Sequence, residues 1–427
     1  MIPIFAPDSP EGRAFRVKMS ERGGFGDESL IGYVREIIAN VRRGGDVVAL
    51  DYTRRFDSPD AEALNVSTED IERAYAHVSG AFLDAIRLAI ANVRRFHEKQ
   101  LRQSWMTAEP DGVVLGQYVH PLGRVGVYAP PRLYSSLIMN AIPARVAGVE
   151  DVVLAVPPQR NGRVHPGMLV TARECGIGEV YACAGVPAIA AMAYGTPTMR
   201  RVDKIVGPGG DYVQLAKREV VGVVDIDKLA GPSEILVIAD DSATPSYIAA
   251  DLISQAEHGR RSSAVLVTTS RDVADAVCAE LERQTPPLPR ADEVRAAFAN
   301  YGAAFLVESV DDAVRLANEI APEHVELHTR DAFALASRIH HAGAVFVGSM
   351  SPEAVGDYVA GPSHVLPTGG TARFYSAASV GDFTKTTNLI AYTSEALDRV
   401  ADAVVTLANA EGLDGHGVAV TARRTCP

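Results

Sequence analysis

The sequence predicts an α/β protein made of two doubly wound, Rossmann-like units with small helical additions at both ends. Three observations lead there. From about residue 112 short apolar runs alternate with helical stretches, the runs are nearly continuous in Val, Ile and Leu, and they fall into two successive sets. Strands with that pattern are buried on both faces, as in a parallel sheet covered by helices.

The first hundred residues are read mainly as helices, because apolar positions recur at three- and four-residue steps over Leu30 to Asn40 and again over Phe82 to Phe96. The first strand set is Arg124–Ala129, Asp151–Val156, Glu179–Cys183, Lys204–Val206 and Val221–Asp225. The second is Glu234–Ala239, Ala264–Thr268, Ala304–Val307 and Ala344–Val347, with a boundary between the sets near Leu229–Ser233. Within the second set a helix starts near Pro245, where proline lacks only a donor that the first turn leaves unpaired, and runs to Gly259. A short helix is expected after Ser351 as N-cap, with Pro352 in its first position. The tail from Glu395 to Ala410 also reads as helix.

Composition excludes several functions. The chain has 427 residues, 47% hydrophobic and 22% charged, which is enough to bury a large core. Its 53 acidic against 41 basic residues give a net charge of -12, which repels nucleic acid and anionic membrane surfaces. Cys175, Cys183, Cys278 and Cys426 form no CxxC pair, so a zinc ribbon, a thioredoxin-type centre and a disulfide framework are not expected. No basic-then-apolar leader opens the chain, and its apolar runs end well short of the ~20 residues that span a bilayer. A soluble cytoplasmic protein is the expectation.

Five segments carry candidate chemistry. Gln255 and His258, three residues apart on one helix, project together and offer two metal ligands, although a polar helix end would look the same. Glu323 and His324, after a helix-breaking proline, suit two proton transfers if the backbone turns both toward one pocket; an exposed turn fits equally. Asp357 and His364 flank a glycine-rich loop of the kind that approaches ligands, and Glu411 and His416 lie in the tail. Gly207-Pro-Gly-Gly-Asp211, before a helix starting at Tyr212, suits a phosphate but does not match GxGxxG.

Taken together and in this order, Asn140–Gly148, Val202–Gly209, Ala230–Glu234, Asp251–His258, Pro322–His324 and Gly356–Phe374 resemble segments of the histidinol dehydrogenase family, zinc- and NAD-dependent enzymes that oxidise L-histidinol to L-histidine. The resemblance runs from about residue 30 to the C-terminus. It implies Zn2+ on Gln255, His258, Asp357 and His416, a catalytic pair in Glu323 and His324, and substrate contacts at Ser233, Gln255, His258, His324, Asp357, His364, Glu411 and His416. It also implies a homodimer in which His416 reaches the partner's zinc. His324 would be the base for two successive oxidations, and Glu323 would activate the water that adds to the aldehyde. The family's dinucleotide contacts fall on Tyr128, Pro187 and Gly210, of which only the tyrosine is the usual residue.

The loop Pro130–Leu133 is also shorter than the family's and lacks its two glycines, leaving Arg132 as a candidate anion contact. Two further readings follow from these departures: a paralogous dehydrogenase of another amino- or sulfo-alcohol, and a zinc-containing binding protein without redox activity. The intact Glu323–His324 pair speaks against the second. The expected domains are 25–127 with 234–378, then 128–233, a small helical domain of 1–24 with 379–403, and a tail domain of 404–427.

Overall fold

A computed structural model describes residues 2–22 and 28–424, so that Cys426 lies outside the described residues. The chain opens with β1 (Ile4–Phe5), α1 (Pro10–Ser20), α2 (Glu28–Phe56), α3 (Thr68–Ala74) and α4 (Gly80–His97). Then come β2 (Trp105–Ala108), β3 (Val113–Pro121) and β4 (Arg124–Tyr128). The first alternating run is α5 (Tyr134–Val146), β5 (Asp151–Val156), α6 (Pro166–Glu174), β6 (Glu179–Ala182), α7 (Gly185–Tyr194), β7 (Lys204–Val206), α8 (Asp211–Val220) and β8 (Asp225–Ile226). The second begins with β9 (Glu234–Ala239), α9 (Pro245–Ala256), β10 (Ser263–Thr268), α10 (Arg271–Gln284), α11 (Ala291–Tyr301) and β11 (Gly302–Leu306). It ends with α12 (Val310–Ile320), β12 (His324–His328), α13 (Ala332–Ala336), β13 (Ala344–Val347) and α14 (Glu353–Tyr358). β14 (Thr384–Tyr392), α15 (Ser394–Ala410) and α16 (Asp414–Arg424) complete the order.

These strands form two parallel sheets, β6-β5-β4-β7-β8 and β1-β11-β10-β9-β12-β13, and a small antiparallel sheet β14-β3-β2. Both parallel sheets are doubly wound, as expected. The apolar core divides into four layers, one on each face: α5 and α6 against the first sheet, α2, α7 and α8 behind it, α9 to α11 against the second, and α1, α12 and α13 behind that. In each sheet the chain winds outward from one strand (β4, β9) and returns on its other side (β7, β12), which leaves a switch point between those neighbours.

The packing differs from the expected domain grouping. Helices α2, α3 and α4 of the 25–127 segment lie on the 128–233 unit, against α7 and α8, α6, and α5 respectively. Residues 4–20 join the second sheet, where β1 pairs with β11 and Phe15 packs on Phe5 and Phe305. The 379–403 segment, expected to be helical, carries the nine-residue strand β14. Its Thr-Lys-Thr-Thr-Asn start is mostly exposed, so no apolar periodicity marks it.

Three local differences have plain causes. The strand expected over Val221–Asp225 is reduced to β8, because Gly222 at φ +96° turns the chain and Val223 and Val224 bond back to Val220. The helix after the glycine-rich loop starts at Asp211, one residue earlier than read. The N-cap of α14 is Pro352 rather than Ser351, whose hydroxyl instead donates to the Val347 carbonyl.

Candidate active site

Between the two parallel sheets lies a cavity of about 220 Å³. One wall comes from the carboxyl edge of the first sheet, with Ser136 after β4 and Gly207 after β7. The other comes from the amino edge of the second, with Ser233 before β9 and Glu323 and His324 at the start of β12. The switch points of the two units therefore face each other across this space. Gln255, at the end of α9, and His258, in the turn that follows, line it from above the second sheet, and Asp357 and His364 close it.

Seven of the site residues named from the sequence thus share one cavity, including both members of the acid/base pair. Glu411 and His416 do not join them: both are exposed at the α15–α16 turn and on α16. The dinucleotide candidates lie beside the cavity rather than in it. Tyr128 ends β4 and is buried, Pro187 is buried in the first turn of α7, and Gly210 is exposed as the N-cap of α8. All three therefore sit at the carboxyl edge of the first sheet. Tyr128 Oη accepts a hydrogen bond from Gly185 N–H at 3.3 Å. Arg132 is exposed, with φ +63°.

The glycine-rich loop is held tightly. A Cβ on Gly207 would stand 1.9 Å from the Tyr128 carbonyl, and the residue sits at φ +116°, so only glycine fits. Asp227 accepts from Gly207 N–H at 2.8 Å, and Lys217 donates to the Gly207 carbonyl at 3.0 Å.

On the opposite wall Glu323 and Glu234 are locked reciprocally. Glu323 Oε2 accepts from Glu234 N–H at 2.9 Å, and Glu234 Oε2 accepts from Glu323 N–H at 3.1 Å. Glu234 also accepts from Gly369 N–H at 2.9 Å and pairs with Arg22. Burial, reinforced by the charge of Glu234, holds the Glu323 carboxyl well above its usual proton affinity.

His324 Nδ1 lies 2.9 Å from the Glu234 carbonyl. A carbonyl only accepts, so Nδ1 carries the proton and Nε2 keeps a free lone pair. Burial lowers the pKa of this imidazole to about 4, which leaves it neutral near pH 7. Glu353, on α14, places Oε1 3.8 Å from Nε2, and burial followed by the neighbouring Asp357 raises its pKa. Asp357 Oδ1 is 3.2 Å from His364 Nδ1; burial opposes ionisation there, but the His364 contact outweighs it and the pKa falls. His324, Glu353 and Asp357 offer metal-ligand atoms within 4.8 Å of one another.

The histidinol dehydrogenase family model matches residues 21–424. The chain belongs to the histidinol dehydrogenase family. It is therefore an oxidoreductase acting on CH–OH groups. A histidinol dehydrogenase of Geobacillus kaustophilus is 50% identical over 91% of this chain and 93% of its own length. Another, of Heliobacterium mobile, is 49% identical over 93% and 94%. The crystal structure of histidinol dehydrogenase from Elizabethkingia anophelis superposes with a TM-score of 0.92 at 33% identity, covering 99% of this chain and 98% of that one. Among the described residues no helix is long and apolar enough to cross a membrane.

Sequence reasoning missed Glu353 and Glu234, and it missed strand β12. Glu234 stood inside a recognised segment, but nothing in its spacing pointed to a carboxylate that accepts from Glu323. The signal for β12 was present in His324-Val-Glu-Leu-His328, where polar and apolar residues alternate, a period that puts His324, Glu326 and His328 on one face.

Proposed function

We propose that this family member oxidises L-histidinol to L-histidine through the aldehyde, with zinc and NAD, as a homodimer. The observation that carries the zinc reading is Gln255: it is 0% exposed, lines the cavity, and neither its amide oxygen nor its nitrogen has a hydrogen-bond partner. Buried polar atoms are almost always satisfied, and an orphaned amide that shares its cavity with His258 and Asp357 fits a metal-ligand set. Gln255, His258 and Asp357 would hold the ion, and His416, exposed on α16, would complete the set from a second copy. The dinucleotide reading is supported by α7 and α8, whose N-termini have no side-chain cap and open at the carboxyl edge of the first sheet.

When bound, zinc would orient the substrate's amine and imidazole, and two NAD molecules in turn would each accept one hydride. The chain's own groups handle the protons. His324 Nε2 takes the hydroxyl proton of the alcohol and later that of the hydrated aldehyde, while the Glu234 carbonyl keeps the ring in the required tautomer. Glu323, which lines the same cavity, takes the proton of the water that adds to the aldehyde. Ser233 and His364 border the same space and contact the substrate.

The test is absorbance at the NADH band after mixing zinc-loaded protein, L-histidinol and NAD. The proposal expects NADH only when histidinol is present and EDTA is absent. No NADH from a fully zinc-loaded protein, with turnover of another amino- or sulfo-alcohol instead, overturns the substrate assignment.

A further inference from the structure

Directly behind the cavity lies a second buried cluster that the reaction does not use. Asp251 on α9 and Glu326 and His328 on β12 offer ligand-type atoms within 4.8 Å of one another. Glu326 and His328 side chains are each 1% exposed. The Glu326 carboxylate collects three partners. Its Oε1 accepts from Glu353 N–H at 2.7 Å, its Oε2 lies 3.2 Å from His328 Nε2, and it is hydrogen-bonded to the Asp251 carboxyl. Burial and the facing Glu326 raise Asp251 to about 8, so Asp251 carries the proton and donates it.

The arrangement repeats the site one step deeper in each element. Glu326 follows His324 by two residues on the same strand face. Asp251 precedes Gln255 by one helical turn on α9, and Glu353 precedes Asp357 by one turn on α14. The N-terminus of α14 has no side-chain cap of its own, and Glu326 supplies the acceptor that Ser351 does not. One carboxylate therefore joins the strand of the base to the two helices bearing Gln255 and Asp357, two of the proposed metal ligands.

We propose that Glu326 is a positioning residue: by capping α14 and bonding to α9 from β12, it holds Asp357, Gln255 and His324 in the geometry that binds zinc and turns over substrate. This rests on the zinc reading of the cavity. The test compares Glu326→Leu, which keeps the volume and loses the acceptor, Glu326→Asp, which keeps the charge but withdraws it by one methylene, and Glu326→Gln, which keeps an acceptor at full reach. Zinc affinity is measured by competition with a chromophoric chelator, kcat and KM for histidinol at saturating zinc, and amide hydrogen exchange over residues 353–358 in metal-free protein.

In the Leu and Asp variants zinc affinity is expected to fall about 10–100-fold, kcat to fall more than KM rises, and exchange over 353–358 to accelerate. The Gln variant is expected to recover most of each. Wild-type zinc affinity and kcat in the Asp variant overturn the proposal, as does equal damage in the Gln and Asp variants. If the Leu variant does not fold, the Asp and Gln pair alone decides. A wild-type chain that binds no zinc defeats the metal reading on its own. Exchange needs no metal, and an unchanged rate over 353–358 in the Asp variant overturns the tie itself.

Discussion

Replacing Gln255 by leucine tests the metal reading through a change of sign. In the folded, metal-free chain both polar atoms of this side chain are buried without partners. A buried polar group left unpaired costs about 1–3 kcal/mol, so a leucine of similar size is expected to stabilise the metal-free protein by about 2 kcal/mol. Unfolding entropy of about 2.1 cal/mol/K per residue amounts to roughly 0.9 kcal/mol/K for a chain of this length, so Tm rises by about 2 °C. With zinc at 100 times its Kd, the wild type gains about 2.7 kcal/mol, or about 3 °C, whereas the variant gains nothing. Differential scanning calorimetry in EDTA and in excess zinc reads both effects. A Gln255→Leu protein that melts below the wild type in EDTA, or that keeps the wild-type zinc shift, refutes the reasoning.

Three other outcomes are expected. His324→Gln should lose about 10²–10⁴-fold in kcat while metal analysis still finds zinc, because the base is removed and the ligands stay; normal turnover contradicts the base assignment. His97, fully buried at the end of α4 with neither ring nitrogen hydrogen-bonded, is pushed to about 4 by burial alone. Its folded value lies below its unfolded one, so its contribution is present above about pH 6.5 and is lost as pH falls toward 4, about 3 kcal/mol in all. Urea melts of His97→Leu across that window should show a shallower acid loss than the wild type, and an identical slope contradicts the assignment. Mixing inactive His416→Ala and His258→Ala proteins under subunit exchange should restore roughly a quarter of wild-type activity, since half the dimers are mixed and each of those holds one complete site; a mixture that stays inactive shows that His416 does not act across chains.

Both parallel sheets were legible because their central strands, such as Ile235–Ala239 and Val152–Val156, are continuous apolar runs that only double-sided burial explains. Strand β12 was not, because a buried strand that carries three titratable residues in five violates that same pattern. Its polar side chains meet Glu234, Asp251 and Glu353, none adjacent in sequence. The antiparallel sheet escaped for the opposite reason: β2 and β14 are largely exposed, so no alternation of buried apolar and exposed polar residues marks them. At the site, residue types and order pointed to Gln255, His258, Glu323, His324, Asp357 and His364, but their meeting at the amino edge of one sheet and the carboxyl edge of the other is a property of the packing. The placement of α2, α3 and α4 on the first sheet's helices is likewise a property of the tertiary contacts.

The central claim is that one cavity, with His324 as the base for both steps and Glu323 for the water between them, takes the alcohol through to the acid. The most direct measurement is the ratio of NADH formed to histidine formed when zinc-loaded protein consumes a limiting amount of L-histidinol, with histidine and the aldehyde quantified by chromatography. The account predicts two NADH per histidine and no accumulated aldehyde. One NADH per histidinol, with the aldehyde released and no histidine, contradicts it.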